Sequence, residues 1–239
     1  MPKDILIEKY RHEYKYLCDA MQNAVLKTRV RMLLKQDPHT AGTGSYRVRS
    51  LYFDSTEDSC YYDSENGIGE RDKYRLRIYN ENAAYIVLEK KSKSRQMTKK
   101  QSCRIDESIC RRLMAGQNVT IRNDMPKEEK KLLTELQTKS LRPVVIVEYL
   151  RYPYVDKNGN VRITFDENIC SSNESTSFLE SRISVRPVLE KGISVLEVKW
   201  DEFLPDYIRN QMQLNSLQWS SFSKYYLCRK YNIFGGIRT

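Results

Sequence analysis

Arginine and lysine residues at alternate positions are the chemically most informative feature of this 239-residue sequence. Arg75 and Arg77 are two residues apart, and so are Glu197 and Lys199. Residues two apart on an extended strand point to the same face, so each pair would present its charges together. Guanidinium and ammonium groups are strong donors to phosphate oxygens. The pattern therefore indicates an anionic, phosphate-like ligand.

Five segments show this alternation of charged residues with apolar or aromatic ones. They span residues 10–16, 46–49, 74–78, 86–91 and 195–200. Each could be the solvated face of an antiparallel sheet whose other face packs on a core. However, the five stripes are mostly cationic, and like charges on neighbouring strands of a flat sheet repel one another. A closed barrel with these side chains inside would form a tunnel that needs a polyanion to neutralise it.

The overall charge points to the same class of partner. Lys and Arg total 41 against 31 Asp and Glu, a formal net charge of +10, which favours phosphate, nucleic acid or an acidic membrane. No glycine-rich phosphate loop, GxSxG nucleophile motif or RNP1 motif is present. Two histidines cannot supply a zinc hydrolase site. We therefore expect side chains to hold the anion, and no specific nucleic-acid partner.

Cysteine usage and hydropathy bear on the location of the protein. The six cysteines form no CxxC pair, which favours reduced, buried thiols. No stretch approaches the roughly 18 consecutive apolar residues of a membrane helix, and the first residues lack the apolar run of a signal peptide. We expect a cytoplasmic protein with no membrane segment of its own. Without a linker or an internal repeat, residues 1–239 are predicted to form one domain.

Five helices are predicted between the strands. Asp19 is a candidate N-cap for a helix that runs to about Lys35, and Asp106 for one that ends at Gly116. Pro126 begins a third, residues 127–139, whose leucine stripe suggests packing on the outside of the barrel. Pro205 begins a fourth, and residues 221–231 form the last. Residues 171–181 are predicted to be a loop, and residues 156–160 a hairpin turn.

Several motifs, taken in order, resemble one known family. They are Arg11-His12-Glu13-Tyr14-Lys15-Tyr16, Ser50-Leu51-Tyr52-Phe53-Asp54, Lys73-Tyr74-Arg75-Leu76-Arg77-Ile78-Tyr79, Leu88-Glu89-Lys90-Lys91, Arg151-Tyr152, Asn160-Val161-Arg162-Ile163-Thr164-Phe165-Asp166, Leu196-Glu197-Val198-Lys199 and Ser221-Phe222-Ser223-Lys224-Tyr225. The chain resembles the VTC domain, the polyphosphate polymerase domain of the vacuolar transporter chaperone family. That family belongs to the triphosphate tunnel metalloenzyme, or CYTH-like, superfamily. The resemblance covers nearly the whole chain.

The resemblance implies an α+β fold with a closed antiparallel eight-stranded β-barrel and helices packed outside. It also implies the roles of individual residues. The phosphate ligands at the catalytic centre would be Lys15, Arg75, Arg77, Lys91, Arg151, Arg162, Lys199 and Lys224. Further substrate contacts would come from Arg11, Arg49, Tyr149 and either or both of Lys99 and Lys100. Glu197, with Glu13, would bind the cofactor, Mn²⁺ or Mg²⁺.

The sequence departs from the family pattern at two positions. Hydrolytic and cyclase members of the superfamily carry an ExExK strand, but here Arg11 stands at the first of those positions. The loss of that carboxylate argues against a two-metal site that activates water, and the added cation favours another phosphate. An arginine expected after the Tyr61-Tyr62 pair is replaced near Ser64, and Arg71 or Lys73 could substitute for it.

The resemblance predicts a polyphosphate polymerase that transfers the γ-phosphate of ATP to a growing inorganic chain. The partners would be ATP, polyphosphate, and orthophosphate or pyrophosphate as primer, with a membrane protein as a possible export partner. Two alternatives remain open: a tripolyphosphatase or nucleoside triphosphatase of the same fold, and a non-catalytic polyphosphate-binding module. Primer, chain length and oligomeric state cannot be read from the sequence.

Overall fold

Ten strands and six α-helices form within residues 10–40, 42–94, 97–214 and 217–233, which this computed structural model describes. The strands are Arg11–Cys18 (β1), Lys35–Gln36 (β2), Tyr46–Asp54 (β3), Glu70–Tyr79 (β4), Asn82–Ser94 (β5), Met97–Ile105 (β6), Arg142–Asp156 (β7), Val161–Ser172 (β8), Arg186–Pro187 (β9) and Ser194–Trp200 (β10). The helices are Ala20–Leu33 (α1), Ser59–Glu65 (α2), Glu107–Met114 (α3), Lys127–Thr138 (α4), Asp206–Met212 (α5) and Lys224–Ile233 (α6).

Eight strands close into an antiparallel barrel. Their order is β7-β3-β4-β5-β6-β1-β10-β8, and β8 pairs with β7 to complete the ring. The two short strands extend this sheet, β2 on β7 and β9 on β8. An eight-stranded barrel encloses a bore that side chains or one small ligand can fill. The predicted closed barrel in an α+β fold is thus confirmed.

Counted over the described residues, the junction between β1 and β6 has fewer residue pairs than any other in the ring. Seven residue pairs join β1 to β10, whereas two pairs between described residues, Arg11 with Thr98 and His12 with Met97, join β1 to β6. Beyond those two pairs, a segment near the C-terminus lies along β1. Trp219 forms a bridge with Tyr16, and the Ser220 amide donates to the carbonyl of Lys15 at 2.9 Å.

Two apolar clusters lie on the outside of the barrel. One packs the outer face of β3, β4 and β5 against α3 and α4, whose Leu132, Leu133 and Leu136 are buried. The other packs β8 and β10 against α1 and α5, through residues such as Leu26 and Ile208. These clusters fix which side of each strand faces outward, so the alternate side chains of the same strands must point into the bore.

Helix α6 crosses the end of the barrel where β3 finishes. Its Tyr225 and Cys228 pack on inward-facing residues that include Val145 and Val147 of β7. The buried carboxylate of Asp54, the last residue of β3, accepts hydrogen bonds from the Cys60 and Tyr61 amides at 2.8 and 3.0 Å and from the Tyr225 hydroxyl. Asp54 therefore joins β3, α2 and α6.

The predicted helices form with shifted ends. Asp19 caps α1 with a capping box, but Pro126 is the N-cap of α4 and not its first helical residue. The last helix begins at Lys224, three residues after Ser221, and α2 was not predicted. In the described part of the chain no helix has both the length and the apolar character that crossing a bilayer requires.

Candidate functional site

A strongly cationic cavity lies inside the barrel, between the inner faces of the strands and the beginning of α6. Among the described residues, ten basic side chains and two carboxylates line it. The basic residues are Lys15, Arg71, Lys73, Arg75, Arg77, Lys91, Lys93, Arg151, Lys199 and Lys224, and the carboxylates are Glu13 and Glu197. Such an excess of one charge in an enclosed space attracts a ligand of opposite charge.

Strand alternation places these side chains in the bore. On β4, Tyr74, Leu76 and Ile78 are buried in the outer apolar cluster, so Arg75 and Arg77 between them point inward. On β1 and β10, Glu13 lies opposite Lys199, and Lys15 lies opposite Glu197. Residues paired across antiparallel strands share a face, so both acidic and basic groups of these two strands enter the cavity together.

The two lining carboxylates are neutralised by neighbouring lysines and arginine. Glu13 is 2.5 Å from the Lys91 ammonium and 3.3 Å from that of Lys15. Burial alone would raise the pKa of Glu13, but Lys15 and Lys91 outweigh burial and lower the pKa to about 2. Glu197 is 3.1 Å from Lys199 and 3.3 Å from Arg151. Both carboxylates are therefore charged at neutral pH.

Glu89 fixes two of the three arginines of β4, Arg75 and Arg77. It is 2.6 Å from the Arg75 guanidinium, 3.6 Å from Arg77 and 3.3 Å from Lys100. These cations more than offset the effect of burial and hold the pKa of Glu89 well below its usual value. Arg75 also donates to the Tyr52 hydroxyl at 2.8 Å. The guanidinium groups are thus held in defined orientations before any ligand arrives.

Asp166 has the corresponding role on the opposite wall. Both of its oxygens accept hydrogen bonds from Arg151, each at 2.7 Å, and its Oδ2 lies 2.7 Å from the Lys224 ammonium. The side chain of Asp166 is fully buried. Burial would raise its pKa, but Arg151 and Lys224 reverse the shift and lower it. Even with Glu89 and Asp166 counted, the ten cations outnumber the four carboxylates among the described residues.

The surplus positive charge is concentrated near the beginning of α6. The Lys73 ammonium donates to the neutral Ser223 hydroxyl at 2.7 Å. Burial lowers the pKa of Lys73 well below its usual value, and Arg71, Lys15 and Lys91 lower it further. An anion placed here would relieve the repulsion among these groups. This part of the cavity is therefore the strongest candidate for binding a polyanion.

Comparison with known proteins identifies the family. The family model of the VTC domain matches residues 10–232. The chain belongs to the VTC domain family. The comparison with curated proteins gave no match.

Several solved structures match this chain over most of its length. A putative adenylyl cyclase from Hippeastrum, HpAC1, whose structure is described as revealing a dominant triphosphatase activity, is 12% identical with a TM-score of 0.55, and the match covers 93% of this chain and 95% of that one. A putative adenylate cyclase from Bacillus halodurans is 12% identical with a TM-score of 0.49, covering 97% and 93%. The PH1819 protein of Pyrococcus horikoshii is 13% identical with a TM-score of 0.46, covering 91% and 97%.

In this VTC domain, the cationic cavity brings together most of the residues predicted to bind substrate. Its lining includes Lys15, Arg75, Arg77, Lys91, Arg151, Lys199 and Lys224, together with Tyr149, Glu13 and Glu197. Two of these cations lie close to the Tyr149 ring. The Lys224 ammonium is 5.0 Å from the ring centre, and the Arg151 guanidinium is 5.2 Å from it. Both candidates for the missing family arginine, Arg71 and Lys73, also line the cavity.

Two predicted ligands are absent from the cavity lining: the prediction is wrong for Arg49, whereas Arg11 shares a face of β1 with Glu13 and Lys15 and stays a prediction. Arg49 is on the outer face of β3, where its Nε donates to Glu148 at 2.6 Å and its Nη1 to the Phe178 carbonyl at 3.1 Å. The charged stripe at residues 46–49 thus faces outward, and Tyr46 faces the bore instead. Arg11 pairs with Asp201 at 2.6 Å and donates to the Asn160 carbonyl at 2.6 Å.

Three further candidates, Arg162, Lys99 and Lys100, are not among the residues that line the cavity. Arg162 shares a face with Lys199, with which it pairs, and donates to the Tyr46 hydroxyl at 2.9 Å. It also pairs with Asp37 at 2.9 Å. Lys100 lies opposite the cavity residue Lys91, whereas Lys99 lies opposite Ser92 on the other face. The register therefore favours Lys100 over Lys99 as a phosphate ligand.

Some lining residues were not predicted. Lys93, Tyr52 and Ser223 line the cavity, and Asp166 orients two of its cations. Alternation contained the signal for two of these: Lys93 is two residues after Lys91, and Asp166 is four residues after Arg162. Ser223 could not be found in this way, because it lies just before α6 and not on a strand.

The residues present fit a divalent cation that is shared with substrate. Glu13 and Glu197 enter the same cavity from the paired strands β1 and β10, and carboxylate oxygens are the ligands that Mg²⁺ and Mn²⁺ prefer. Across the described ranges, no group of three or more histidine, cysteine, aspartate or glutamate residues could hold a metal ion. Two carboxylates would leave the other positions to phosphate oxygens and water, which is the usual arrangement for Mg²⁺.

Proposed function

We propose that this VTC domain is a polyphosphate polymerase that transfers the γ-phosphate of ATP to the end of an inorganic phosphate chain. The observation that supports this most strongly is the cavity of ten basic side chains enclosed by the barrel. A chain of phosphates carries a charge on every unit, so it matches a long row of cations better than a single phosphate does. Membership of the VTC family supports the same conclusion.

To catalyse this reaction, the protein must align the reacting phosphate groups and neutralise their charge. The attacking oxygen, on the chain end or on orthophosphate or pyrophosphate as primer, is already anionic, so no strong base is needed. Arg75, Arg77 and Arg151 would bind the equatorial oxygens of the transferred phosphoryl group with their paired donors. Lys15, Lys91 and Lys199 would stabilise charge along the chain, and Lys224 would do so from α6.

A divalent cation completes the proposal. Glu13 and Glu197 would hold Mn²⁺ or Mg²⁺, which neutralises charge on the triphosphate. Glu89 and Asp166 would instead keep the arginines in place, since both are engaged with guanidinium groups. We further propose a cytoplasmic location, with a membrane protein as the partner that exports the chain. All six cysteines are free, which suits a reducing compartment.

Hydrolysis of triphosphates is the second candidate. The Hippeastrum protein, which matches at a TM-score of 0.55, is described as having a dominant triphosphatase activity. Hydrolysis requires a group that orients water. In this chain, Glu13, Glu89, Asp166 and Glu197 are each paired with a lysine or an arginine. This pairing makes them poor bases and favours the transfer to phosphate.

The decisive experiment incubates the purified protein with ATP and Mn²⁺ and separates the products on a gel that resolves phosphate chains. We expect acid-stable chains that lengthen with time, together with ADP. Release of orthophosphate alone would establish the hydrolase instead. Tight, salt-sensitive binding of polyphosphate without turnover at any metal concentration would establish a binding module. Addition of EDTA to a parallel reaction tests the requirement for the divalent cation.

A further inference from the structure

The outer face of helix α1 carries an apolar stripe that is exposed to solvent. Met21 and Met32 are 78% and 79% exposed, and Val25 between them is 44% exposed. At 100° per residue, these three positions lie within about 40° of one another around the helix. Leu26 and Val30 lie on the opposite side, where they are buried in the apolar cluster with β8 and β10. Helix α1 is therefore apolar on two faces, and the barrel covers one of them.

The charged residues of α1 are all basic. They are Lys27, Arg29 and Arg31, and no aspartate or glutamate occurs in this helix. Arg29 donates to the Gln213 side chain at 2.9 Å, and Arg31 donates to the Tyr154 hydroxyl at 3.2 Å. These acceptors are neutral, so the hydrogen bonds orient the two guanidinium groups without cancelling their charge. By the same helical spacing, Arg29 and Arg31 lie on either side of the apolar stripe.

We propose that this face of α1, the stripe of Met21, Val25 and Met32 with Arg29 and Arg31 beside it, is a docking surface for an anionic lipid bilayer. A helix that lies in a membrane interface buries its apolar side chains at the boundary of the acyl chains, while neighbouring basic side chains reach the phosphate headgroups. The buried face already holds α1 as a helix, so docking requires no folding. None of these five residues lines the cavity, and the inference does not depend on the proposed function.

Charge and shape favour a bilayer over a second copy of the chain. Two copies that paired through this face would bring the basic residues of both α1 helices together, and like charges repel. A stable protein interface also buries about 800 Å² on each partner, which is more than three side chains on a convex helix supply. A bilayer needs no matching pocket, because lipids and flexible methionine side chains adapt to each other.

Co-sedimentation with vesicles tests this surface. Wild-type protein should bind vesicles of phosphatidylcholine that contain phosphatidylglycerol, and it should bind pure phosphatidylcholine much more weakly. The double variant Met21→Ser/Met32→Ser should lower the partition coefficient at least about tenfold, because two methionine side chains no longer enter the interface. Arg29→Gln should lower it about fivefold, the contribution of one cation near an anionic membrane. The matched controls are Ile68→Ser, at a 44% exposed position between α2 and β4, and Arg111→Gln on α3.

The outcomes decide for or against the bilayer. Loss of binding in the methionine variant, with both controls and all melting temperatures unchanged, supports it. Equal binding by the methionine variant and wild type would overturn it, because binding would then follow net charge alone. Failure of wild type to bind anionic vesicles would also overturn it, and so would equal binding to neutral vesicles.

Two further measurements separate this inference from its rivals. Analytical ultracentrifugation without lipid tests the second copy: a dimer that dissociates in the methionine variant would assign the stripe to self-association and overturn the bilayer. Chain growth from ATP in the absence of lipid should be the same in the methionine variant and in wild type. The vesicle result and the polymerase result can therefore fail independently of each other.

Discussion

Several basic residues of the cavity are oriented by acidic or phenolic partners. Arg75 shows this best, since Glu89 binds its guanidinium at 2.6 Å and the Tyr52 hydroxyl accepts from it at 2.8 Å. Because the guanidinium is already ordered in the free protein, ligand binding does not include the entropic cost of ordering it. Arg75 is therefore the single residue whose loss should affect phosphoryl transfer most clearly.

Replacement of Arg75 by alanine should lower the rate of ATP-dependent chain growth by a factor on the order of 10² to 10³, as for the loss of one preorganised transition-state donor. The measurement is product formation on the chain-resolving gel at saturating ATP. Arg111→Ala is the matched control, because Arg111 is an exposed arginine of α3 paired with Glu107 at 2.6 Å. An Arg75→Ala protein that melts normally and polymerises at the wild-type rate would contradict the assignment.

Lys73 predicts a pH effect on binding. Its lowered pKa, caused by burial and by Arg71, Lys15 and Lys91, means that it is deprotonated in free protein at a lower pH than an ordinary lysine. A bound polyanion favours the charged form and raises the pKa again. Binding should therefore take up protons at a pH below that at which an ordinary lysine titrates, and affinity for tripolyphosphate should fall as Lys73 loses its proton with rising pH.

Proton uptake is measured by calorimetry in two buffers that differ in ionisation enthalpy. In the Lys73→Met variant, the side chain at position 73 cannot be protonated, so the uptake of protons on ligand binding should decrease. Lys157→Met, a change in the turn between β7 and β8 and away from the cavity lining, serves as the control and should retain the wild-type uptake. The same uptake in wild type and Lys73→Met would show that another group, or the ligand itself, accounts for the protons.

Strand β3 shows what the sequence could and could not predict at the level of elements. Arg47 and Arg49 alternate just as Arg75 and Arg77 do, so the same reasoning placed both pairs in the bore. The prediction is wrong for β3, because the partners of Arg49 are the Phe178 carbonyl and Glu148, which lie far along the chain. Alternation establishes that two residues share a face, but only long-range contacts decide which face points inward.

Arg49→Ala should therefore reduce stability and leave phosphate chemistry intact. The substitution leaves the buried carboxylate of Glu148 without its shortest ion pair, a change that costs about 3–5 kcal/mol in comparable buried pairs. Urea unfolding measures this loss, and the chain-growth assay below the transition measures activity. Arg47→Ala, at an exposed partner of the same Glu148, should cost under about 1 kcal/mol. A stable Arg49→Ala protein with weakened ATP binding would refute the outer placement.

The Asp54 junction makes a separate prediction about α6. Tyr225→Phe removes the hydroxyl that donates to the buried Asp54 carboxylate, which should cost about 1–3 kcal/mol. Since Lys224 precedes Tyr225 in α6, loosening of this helix should also weaken tripolyphosphate binding. Hydrogen exchange of the α6 amides and the binding titration measure the two effects. Tyr226→Phe, which loses a 3.3 Å contact with Glu65 at an exposed position, should change neither; equal effects in both variants would count against the junction.

For the whole molecule, the repeated cationic stripes favoured a closed sheet over an open one, although the stripe at residues 46–49 faces outward. Repulsion between neighbouring cationic strands argued for a shared bore, and the family resemblance supplied the number of strands. The number and lengths of the helices were less predictable. The N-cap of α2, Asp58, is a residue type that commonly caps helices, but it has a left-handed backbone conformation and makes no side-chain capping bond. The position of α6 depends on Asp54, which lies 171 residues before Tyr225, and no local pattern encodes it.

The surplus charge of the cavity predicts stabilisation by polyanions. Ten basic residues enclosed with two lining carboxylates repel one another in the free protein, and a ligand that binds only the folded state stabilises it. Tripolyphosphate at about 100 times its dissociation constant should add about 2.7 kcal/mol, visible as a higher melting temperature. Sodium chloride at equal ionic strength should give a smaller increase, because it screens charge without binding in the bore. Equal shifts for the two salts would contradict specific binding.

The two-pair junction between β1 and β6 also determines how the barrel comes apart. Local opening is favoured where few backbone hydrogen bonds hold a structure, so we expect the ring to open first along this line, once the segment of Trp219 and Ser220 has separated from β1. Such an opening would expose the inner wall lengthwise, and a polymer could slip in or out sideways without threading its end. A long product would then leave in one step, and the time needed for its release would not increase with its length.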